Sequence, residues 1–213
     1  MTSQELAGYL RLVVITDGPL AAPRSVLDVV QSALKGGARA VQLRNKGDTV
    51  RERFQLGVRL RRLTRDAGAL LVVNDRLDLA LALHADGVHV GPDDLGVAAV
   101  RAVSPPGFLI GRSADDPEVA RRAVEDGASY IGCGTVYATS TKPDAGDVIG
   151  TAGLRTVVNA VEVPVVAIGG ITIQRSPEVA GAGAAGVAVV GAVMGADDPE
   201  AVARALRTPF ESA

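Results

Sequence analysis

The chain has 213 residues, a hydrophobic fraction of 47 %, a formal net charge of -2 and a sequence pI near 5.7. This composition is typical of a folded protein with a large core, and the balance of charge excludes an overall basic field for nucleic acid or an anionic membrane. No apolar run reaches the roughly 20 residues of a membrane span, and residues 1–9 lack the features of a secretion signal, so we expect a cytoplasmic protein.

Eight short apolar runs recur along the chain and predict eight strands. In order they read LRLVVIT, AVQLR, ALLVVN, GVHVG, FLIGRS, YIGCGTV, VPVVAIGG and GVAVVG. Runs that are apolar on both faces are typical of parallel strands covered on both sides. The lone Cys133, in the sixth run, has no partner for a disulfide and is expected to be buried.

Helix-like segments lie between these runs. Asp116 is a candidate cap with Pro117 in the first turn, and Gly127 marks the expected end. Leucines spaced by three and four residues predict another helix between Thr49 and Ala67. Eight strand-helix units at a spacing of about 25 residues predict a single (β/α)8 TIM barrel over residues 1–213. A doubly wound open sheet is the alternative, but no nucleotide-binding loop follows the first strand.

Active sites of such barrels lie where the strands end, so polar residues at strand ends are the candidates for chemistry. Gln42, Arg44 and Lys46 follow one another at two-residue steps after the second strand, which places an amide and two cations on one side. Asp75 and Asp94 follow the third and fourth strands, and their carboxylates suit Mg²⁺ beside a phosphorylated substrate. The alternative for Asp94 is a cap of the next helix.

The segments QLRNK, VVNDRLDLAL, DGVHVGPDDL, IGRS, YIGCGTVYATSTK and VVAIGGIT together resemble the thiamine phosphate synthase family over nearly the whole chain. That family joins a pyrimidine diphosphate to a thiazole phosphate with Mg²⁺ and releases diphosphate. The resemblance implies Asp75 and Asp94 as magnesium ligands. It implies a pyrimidine diphosphate site of Gln42, Arg44, Lys46, Asn74, Ser113 and Lys142, with Arg44, Lys46 and Lys142 catalytic. It implies a thiazole phosphate site of Thr139, Ser140, Thr141, Gly170, Val190 and Gly191, with loop 137–150 as a lid.

Three residues depart from the family pattern, namely Asn45, Pro92 and Gly191, which stand where Glu, Gln and Ser are usual. Gly191 removes a hydroxyl from the implied thiazole phosphate site, so weaker binding is expected there. Two rival functions remain open: a thiazole tautomerase on the same barrel, and a non-catalytic phosphate-binding barrel. The expected partners are small-molecule substrates, without nucleic acid or membrane. The apolar exterior of such a barrel is compatible with a homo-oligomer, which the sequence leaves open.

Overall fold

A computed structural model describes residues 1–45, 47–139 and 147–211 of the chain. Eight parallel strands form a closed barrel in the order β1 to β8, so the predicted (β/α)8 fold is confirmed and the open-sheet alternative is wrong. The strands are β1 Leu12–Ile15, β2 Ala40–Leu43, β3 Leu70–Asn74, β4 Gly87–Val90, β5 Leu109–Ser113, β6 Tyr130–Cys133, β7 Val165–Ile168 and β8 Gly186–Val189. β8 pairs with β1 through Val13 and Ala188, which closes the ring.

Helices connect the strands and form the outer layer of the barrel. They are α1 Ser3–Leu10, α2 Gly18–Ala21, α3 Val26–Lys35, α4 Val50–Asp66, α5 Leu77–Ala82, α6 Val97–Val103, α7 Pro117–Glu125, α8 Gly150–Val158, α9 Ser176–Gly181, α10 Gly191–Met194 and α11 Pro199–Arg207. A 3₁₀ turn at Thr208–Phe210 follows α11. Within the described residues, no helix is long and apolar enough to cross a membrane.

The two helices predicted from local signals are confirmed, and their first turns show why they begin where they do. Asp116 accepts hydrogen bonds from the backbone N–H groups of Glu118 and Val119 at the start of α7. Thr49 and Glu52 form a reciprocal capping box at the start of α4. Such side chains satisfy N–H groups that have no partner inside the helix, which stabilises a helix by about 1 kcal/mol.

Alternate strand residues divide the core into two layers. Inward-facing side chains, among them Ile15, Leu109 and Tyr130, fill the barrel together with Leu6 and Leu10 of α1. Outward-facing residues pack beneath the helices in a larger cluster that includes Leu43 and Cys133. Cys133 is fully buried as predicted, and burial raises the pKa of its thiol to about 12. A packed interior of this kind leaves the strand ends as the place for a site.

Candidate active site

The described members of the predicted site lie at the carboxyl end of the barrel, because all eight strands run in parallel. Asn74 and Ser113 are the last residues of β3 and β5. Gln42 lies within β2, and the segments that follow the strands carry Arg44, Asp75, Asp94, Thr139, Gly170, Val190 and Gly191. Lys46, Ser140, Thr141 and Lys142 lie outside the described residues, as does 140–146 of the predicted lid.

A buried threonine that the sequence analysis missed sets the backbone after β2. Thr16 follows β1, and its N–H donates to the carbonyl of Gln42 at 2.9 Å. Its Oγ1 accepts the backbone N–H of Arg44 at 3.0 Å. Leu43 points outward beneath the helices, as expected from strand alternation, so Gln42 and Arg44 share the opposite side. Thr16 therefore holds the backbone of Arg44, the predicted diphosphate-binding cation, at the point where the chain leaves β2.

Replacing Thr16 with valine is expected to raise the KM for the pyrimidine diphosphate severalfold. Valine keeps the volume, but it leaves the Arg44 N–H without its partner, a loss worth about 1–3 kcal/mol for a buried group. Thr16→Ser is the matched control, because it keeps the hydroxyl and loses only a methyl group. Steady-state kinetics of both variants check the prediction, and equal KM values for the two would contradict it.

The carboxylates after β3 and β4 are held by different contacts. Asp75 has a left-handed backbone with φ 63°, and its N–H donates to the carbonyl of His89 at 2.8 Å. Asp94 Oδ2 accepts the N–H of Gly91 at 2.7 Å. Gly96 precedes α6 as its N-cap residue, so the alternative prediction that Asp94 caps this helix is wrong. Both carboxylates belong to segments that leave neighbouring strands.

The donor set at these strand ends fits a magnesium ion that also binds substrate. Within the described residues no group of three or more His, Cys, Asp or Glu side chains is placed to hold a metal ion. Mg²⁺ does not need such a cage, since it is commonly held by one or two carboxylates with phosphate oxygens and water. Asp94 Oδ2 accepts a hydrogen bond from the N–H of Gly91, and the carbonyl of Gly91 accepts one from Arg112 Nη1. Both backbone polar groups of Gly91 are therefore held by side chains.

A chain of polar side chains crosses the barrel just below these carboxylates. His89 Nε2 lies 2.9 Å from Ser113 Oγ, and its Nδ1 lies 3.1 Å from Tyr130 Oη. Burial, with the Arg112 charge as a smaller cause, lowers the pKa of His89 to about 4. Burial raises the pKa of Tyr130, and the Gln42 side chain beside its hydroxyl opposes this as a smaller cause. The predicted substrate-binding residue Ser113 is thus linked to Tyr130 through His89, and Gln42 lies beside the other end of this chain.

Two glycines make room for this polar chain. Gly111 of β5 is in register with His89 on one side and with Tyr130 on the other. A Cβ atom at Gly111 would collide with both rings, and one at Gly132 would lie 2.8 Å from His89 Cε1. The rings therefore meet across a strand that carries no side chain at that level. The cross-strand contact of His89 with Ser113 is not visible from the order of residues along the chain.

The loop after β6 packs against the end of β7 at the predicted thiazole phosphate site. Gly170 has φ 61°, and a Cβ atom there would lie 2.6 Å from the Ala138 carbonyl oxygen and 2.8 Å from that of Tyr137. Arg175 donates to the Gly170 carbonyl at 2.7 Å and lies over the Tyr137 ring at 4.5 Å. The backbone of this loop is therefore held directly against Gly170.

One carboxylate of α9 contacts both flanks of the predicted lid. Tyr137 donates its hydroxyl hydrogen to Glu178 Oε2 at 2.6 Å, and Thr151 donates to Glu178 Oε1 at 3.3 Å. Burial first, and this hydrogen bond second, raise the pKa of Tyr137 to about 12. Thr139 is partly buried two residues beyond Tyr137. The start and the end of the loop are thus tied to the same helix.

The end of β8 supplies the last part of the predicted site. Val190 precedes α10, and Gly191 is the first residue of that four-residue helix. Backbone N–H groups in the first turn of a helix have no partner inside the helix, so they are free to donate to an anion. A glycine at position 191 can contribute such an N–H although it lacks the hydroxyl of the usual serine.

The family model described as thiamine monophosphate synthase matches residues 12–193. Thiamine-phosphate synthase of Roseiflexus castenholzii is 50% identical over 193 residues, covering 91% of this chain and 85% of that protein. The protein of that name from Moorella thermoacetica is 48% identical, covering 92% of this chain and 93% of its own.

Solved structures agree with the sequence comparison. Thiamine phosphate pyrophosphorylase from Pyrococcus furiosus superposes with a TM-score of 0.87 at 41% identity, covering 97% of this chain and 98% of that one. A 3-hexulose-6-phosphate synthase at 19% identity and a TM-score of 0.67 shares the fold alone. With a family model that spans most of the barrel and relatives that are about half identical, this chain belongs to the thiamine monophosphate synthase family.

Proposed function

We propose that this chain condenses 4-amino-2-methyl-5-(diphosphooxymethyl)pyrimidine with a thiazole phosphate to give thiamine phosphate and diphosphate. The observation that carries the proposal is the convergence of Gln42, Ser113, Asp75 and Gly170 at one end of the barrel. Relatives named thiamine-phosphate synthase, which are about half identical to this chain, also support the proposal. Such an arrangement brings an amide, a hydroxyl, a carboxylate and a closely packed glycine turn to one end of the barrel.

Asp75 and Asp94 would hold Mg²⁺, which when bound supplies positive charge to the oxygens of the diphosphate. The chain's own contribution is to hold the Asp75 backbone and one Asp94 oxygen in place before substrate arrives. The carbonyl of His89 fixes the backbone of Asp75, and the N–H of Gly91 fixes one oxygen of Asp94. Groups that are already held in this way need not be ordered when the substrate binds, which lowers the cost of binding.

The reaction we propose breaks the bond between the pyrimidine methylene carbon and the diphosphate oxygen. The leaving diphosphate keeps the electron pair, and the thiazole nitrogen then supplies the pair for the new carbon–nitrogen bond. Arg44, with Lys46 and Lys142, would stabilise the negative charge that develops on the leaving group. No protein nucleophile takes part, so the chain needs cations and exclusion of water more than a general base.

The thiazole phosphate would lie between the loop after β6 and the ends of β7 and β8. Thr139, Ser140 and Thr141 would donate hydroxyl hydrogens to the phosphate. Gly170 and the Val190–Gly191 pair would supply backbone N–H groups. Because the segment after β6 also carries Lys142, closing this loop as a lid would bring the leaving-group cation and the second substrate together.

The decisive experiment mixes the purified protein with both substrates and Mg²⁺ and measures thiamine phosphate and diphosphate in parallel, with EDTA as a control. Equal amounts of the two products, abolished by EDTA and restored by added Mg²⁺, are expected. Products that persist in EDTA would overturn the magnesium assignment. Isomerisation of the thiazole phosphate alone would favour the tautomerase, and binding without either reaction would favour the non-catalytic barrel.

A further inference from the structure

Three polar side chains form one hydrogen-bonded row across the inside of the barrel. It runs from Tyr130 of β6 through His89 of β4 to Ser113 of β5, and Gln42 of β2 lies beside the Tyr130 hydroxyl. Ser113 and Gln42 are predicted substrate-binding residues, and the two aromatic rings between them are unassigned. The row therefore lies between two predicted binding residues and consists partly of groups that have no role in the reaction as proposed.

The nitrogen of His89 that carries the proton sets the direction of its two hydrogen bonds. A neutral imidazole has one N–H donor and one acceptor nitrogen, and a tyrosine or serine hydroxyl has a single hydrogen. If Tyr130 donates to His89 Nδ1, the N–H of His89 lies on Nε2 and points at Ser113. If His89 donates from Nδ1 to Tyr130 instead, Nε2 is the acceptor and Ser113 gives its hydrogen to His89. The two tautomers of His89 therefore correspond to two opposite directions of donation along Tyr130, His89 and Ser113.

The direction decides what Ser113 offers to a ligand. When Ser113 Oγ accepts from His89 Nε2–H, its own hydrogen remains free to donate to an anion. When Ser113 donates to His89, only oxygen lone pairs face the ligand, and these repel a phosphate. We propose that His89 is a positioning residue, held as the Nε2–H tautomer, that aims the Ser113 hydroxyl hydrogen at the diphosphate-bearing substrate. The identity of that anion rests on the proposed function.

The surroundings of His89 support a positioning role because they fix the ring in place. Gly111 and Gly132 leave space for the imidazole, and a Cβ at either position would enter that space. The ring lies tilted against Tyr130 with centroids 5.5 Å apart. A ring that is enclosed on these sides and bonded at both nitrogens cannot turn to exchange one nitrogen for the other. Nε2 therefore faces Ser113 and Nδ1 faces Tyr130 before a ligand binds, and the tautomer alone decides which group donates.

The first test reads the tautomer directly in the free protein. The chain has two histidines, so labelling with ¹⁵N-histidine gives two imidazoles in a long-range ¹H–¹⁵N spectrum. His84 is exposed and serves as the internal reference, and His84→Asn assigns the two sets of signals. Asparagine is chosen because His84 has φ 48°, which asparagine tolerates. A single Nε2–H tautomer for His89 is expected near neutral pH, whereas an Nδ1–H tautomer or a mixture of both would overturn the proposal.

The second test asks whether His89 acts through Ser113. His89→Leu should lower kcat/KM for the pyrimidine diphosphate by about 10- to 100-fold, the range seen when a residue that orients a ligand group is lost. His89→Gln, whose amide can donate from near the position of Nε2, should recover much of that loss. In a Ser113→Ala background the same leucine substitution should cost less than about threefold, because the hydroxyl it orients is gone.

The outcomes separate this proposal from the proposed function. A full leucine effect that persists in the Ser113→Ala background, with both variants folded by circular dichroism, would overturn the role of His89. If the wild-type chain makes no thiamine phosphate, the proposed function fails, and the histidine spectrum still decides the direction of the row. An active wild-type enzyme with an Nδ1–H tautomer would leave the function in place and end the proposal for His89.

Discussion

Replacing Asp75 with asparagine is expected to lower turnover by roughly 100- to 1,000-fold and to shift the Mg²⁺ dependence to higher concentration. Asparagine is the informative substitution because Asp75 has φ 63°, a left-handed backbone that asparagine adopts with little strain. Alanine at this position would add backbone strain to the loss of charge. The asparagine variant therefore removes one negative oxygen while the contact of the Asp75 N–H with the His89 carbonyl is kept.

Titrating Mg²⁺ against steady-state rate for wild type and variant checks this prediction. Asp93→Asn is the matched control, because Asp93 is an exposed carboxylate in the segment that carries Asp94 and has no assigned role. We expect the control to keep wild-type kinetics across the titration. Near wild-type behaviour of Asp75→Asn over the same range would show that Asp75 is not a metal ligand.

The fold could be predicted from the sequence because it follows from local patterns, and the fold in turn determines where the candidate site residues lie. Each strand is a short apolar run, and β4 and β7 are recognisable from a few neighbouring residues. Parallel strands separated by helices must end on the same side, so polar residues after the strands fall together without further information. Asn74, Ser113 and Gly170 lie at strand ends for this reason.

The contacts between strands could not be predicted, since they depend on register. His89, Gly111 and Tyr130 are far apart in the chain and form one level of the barrel only once β4, β5 and β6 are paired. A glycine in an apolar run carries no sign that two rings will meet over it. The hydrogen bond between Asp94 and Gly91 was missed for a similar reason. An aspartate that caps a following helix and an aspartate that closes a turn with the residue three positions before it give the same local sequence pattern.

Strand register also explains why the two residues that were not predicted, Thr16 and His89, are hydrogen-bonded to residues of the predicted site. Thr16 sits at the end of β1 and acts on Arg44 beyond β2, and His89 sits in β4 and acts on Ser113 at the end of β5. A residue that binds substrate can be recognised by its own chemistry at a strand end. A residue that orients such a binding residue has no distinguishing sequence feature, so its role can be recognised only when the pairing of the strands is known.

Replacing Gly170 with alanine is expected to lower kcat/KM for the thiazole phosphate by about 100-fold, with a smaller change for the pyrimidine diphosphate. The new Cβ would lie 2.6 Å from the Ala138 carbonyl oxygen and 2.8 Å from that of Tyr137, and backbone atoms cannot yield as a flexible side chain can. The loop that carries Thr139 must therefore move away from β7. A displacement of about 1 Å in a binding group is enough to cost about 100-fold in rate.

Gly107→Ala separates this clash from backbone strain. Gly107 has φ 77°, close to the 61° of Gly170, but a Cβ there has no atom within 4 Å, and it precedes β5 at the opposite end of the barrel. Both variants therefore bear the strain of a left-handed alanine, about 1–2 kcal/mol, and only Gly170→Ala displaces the loop. Thermal unfolding should show a lower stability for both variants, whereas kcat/KM for the thiazole phosphate should fall only in Gly170→Ala. If Gly107→Ala lost as much activity as Gly170→Ala, strain alone would account for the effect, and the loop after β6 would not bind the second substrate through its contact with Gly170.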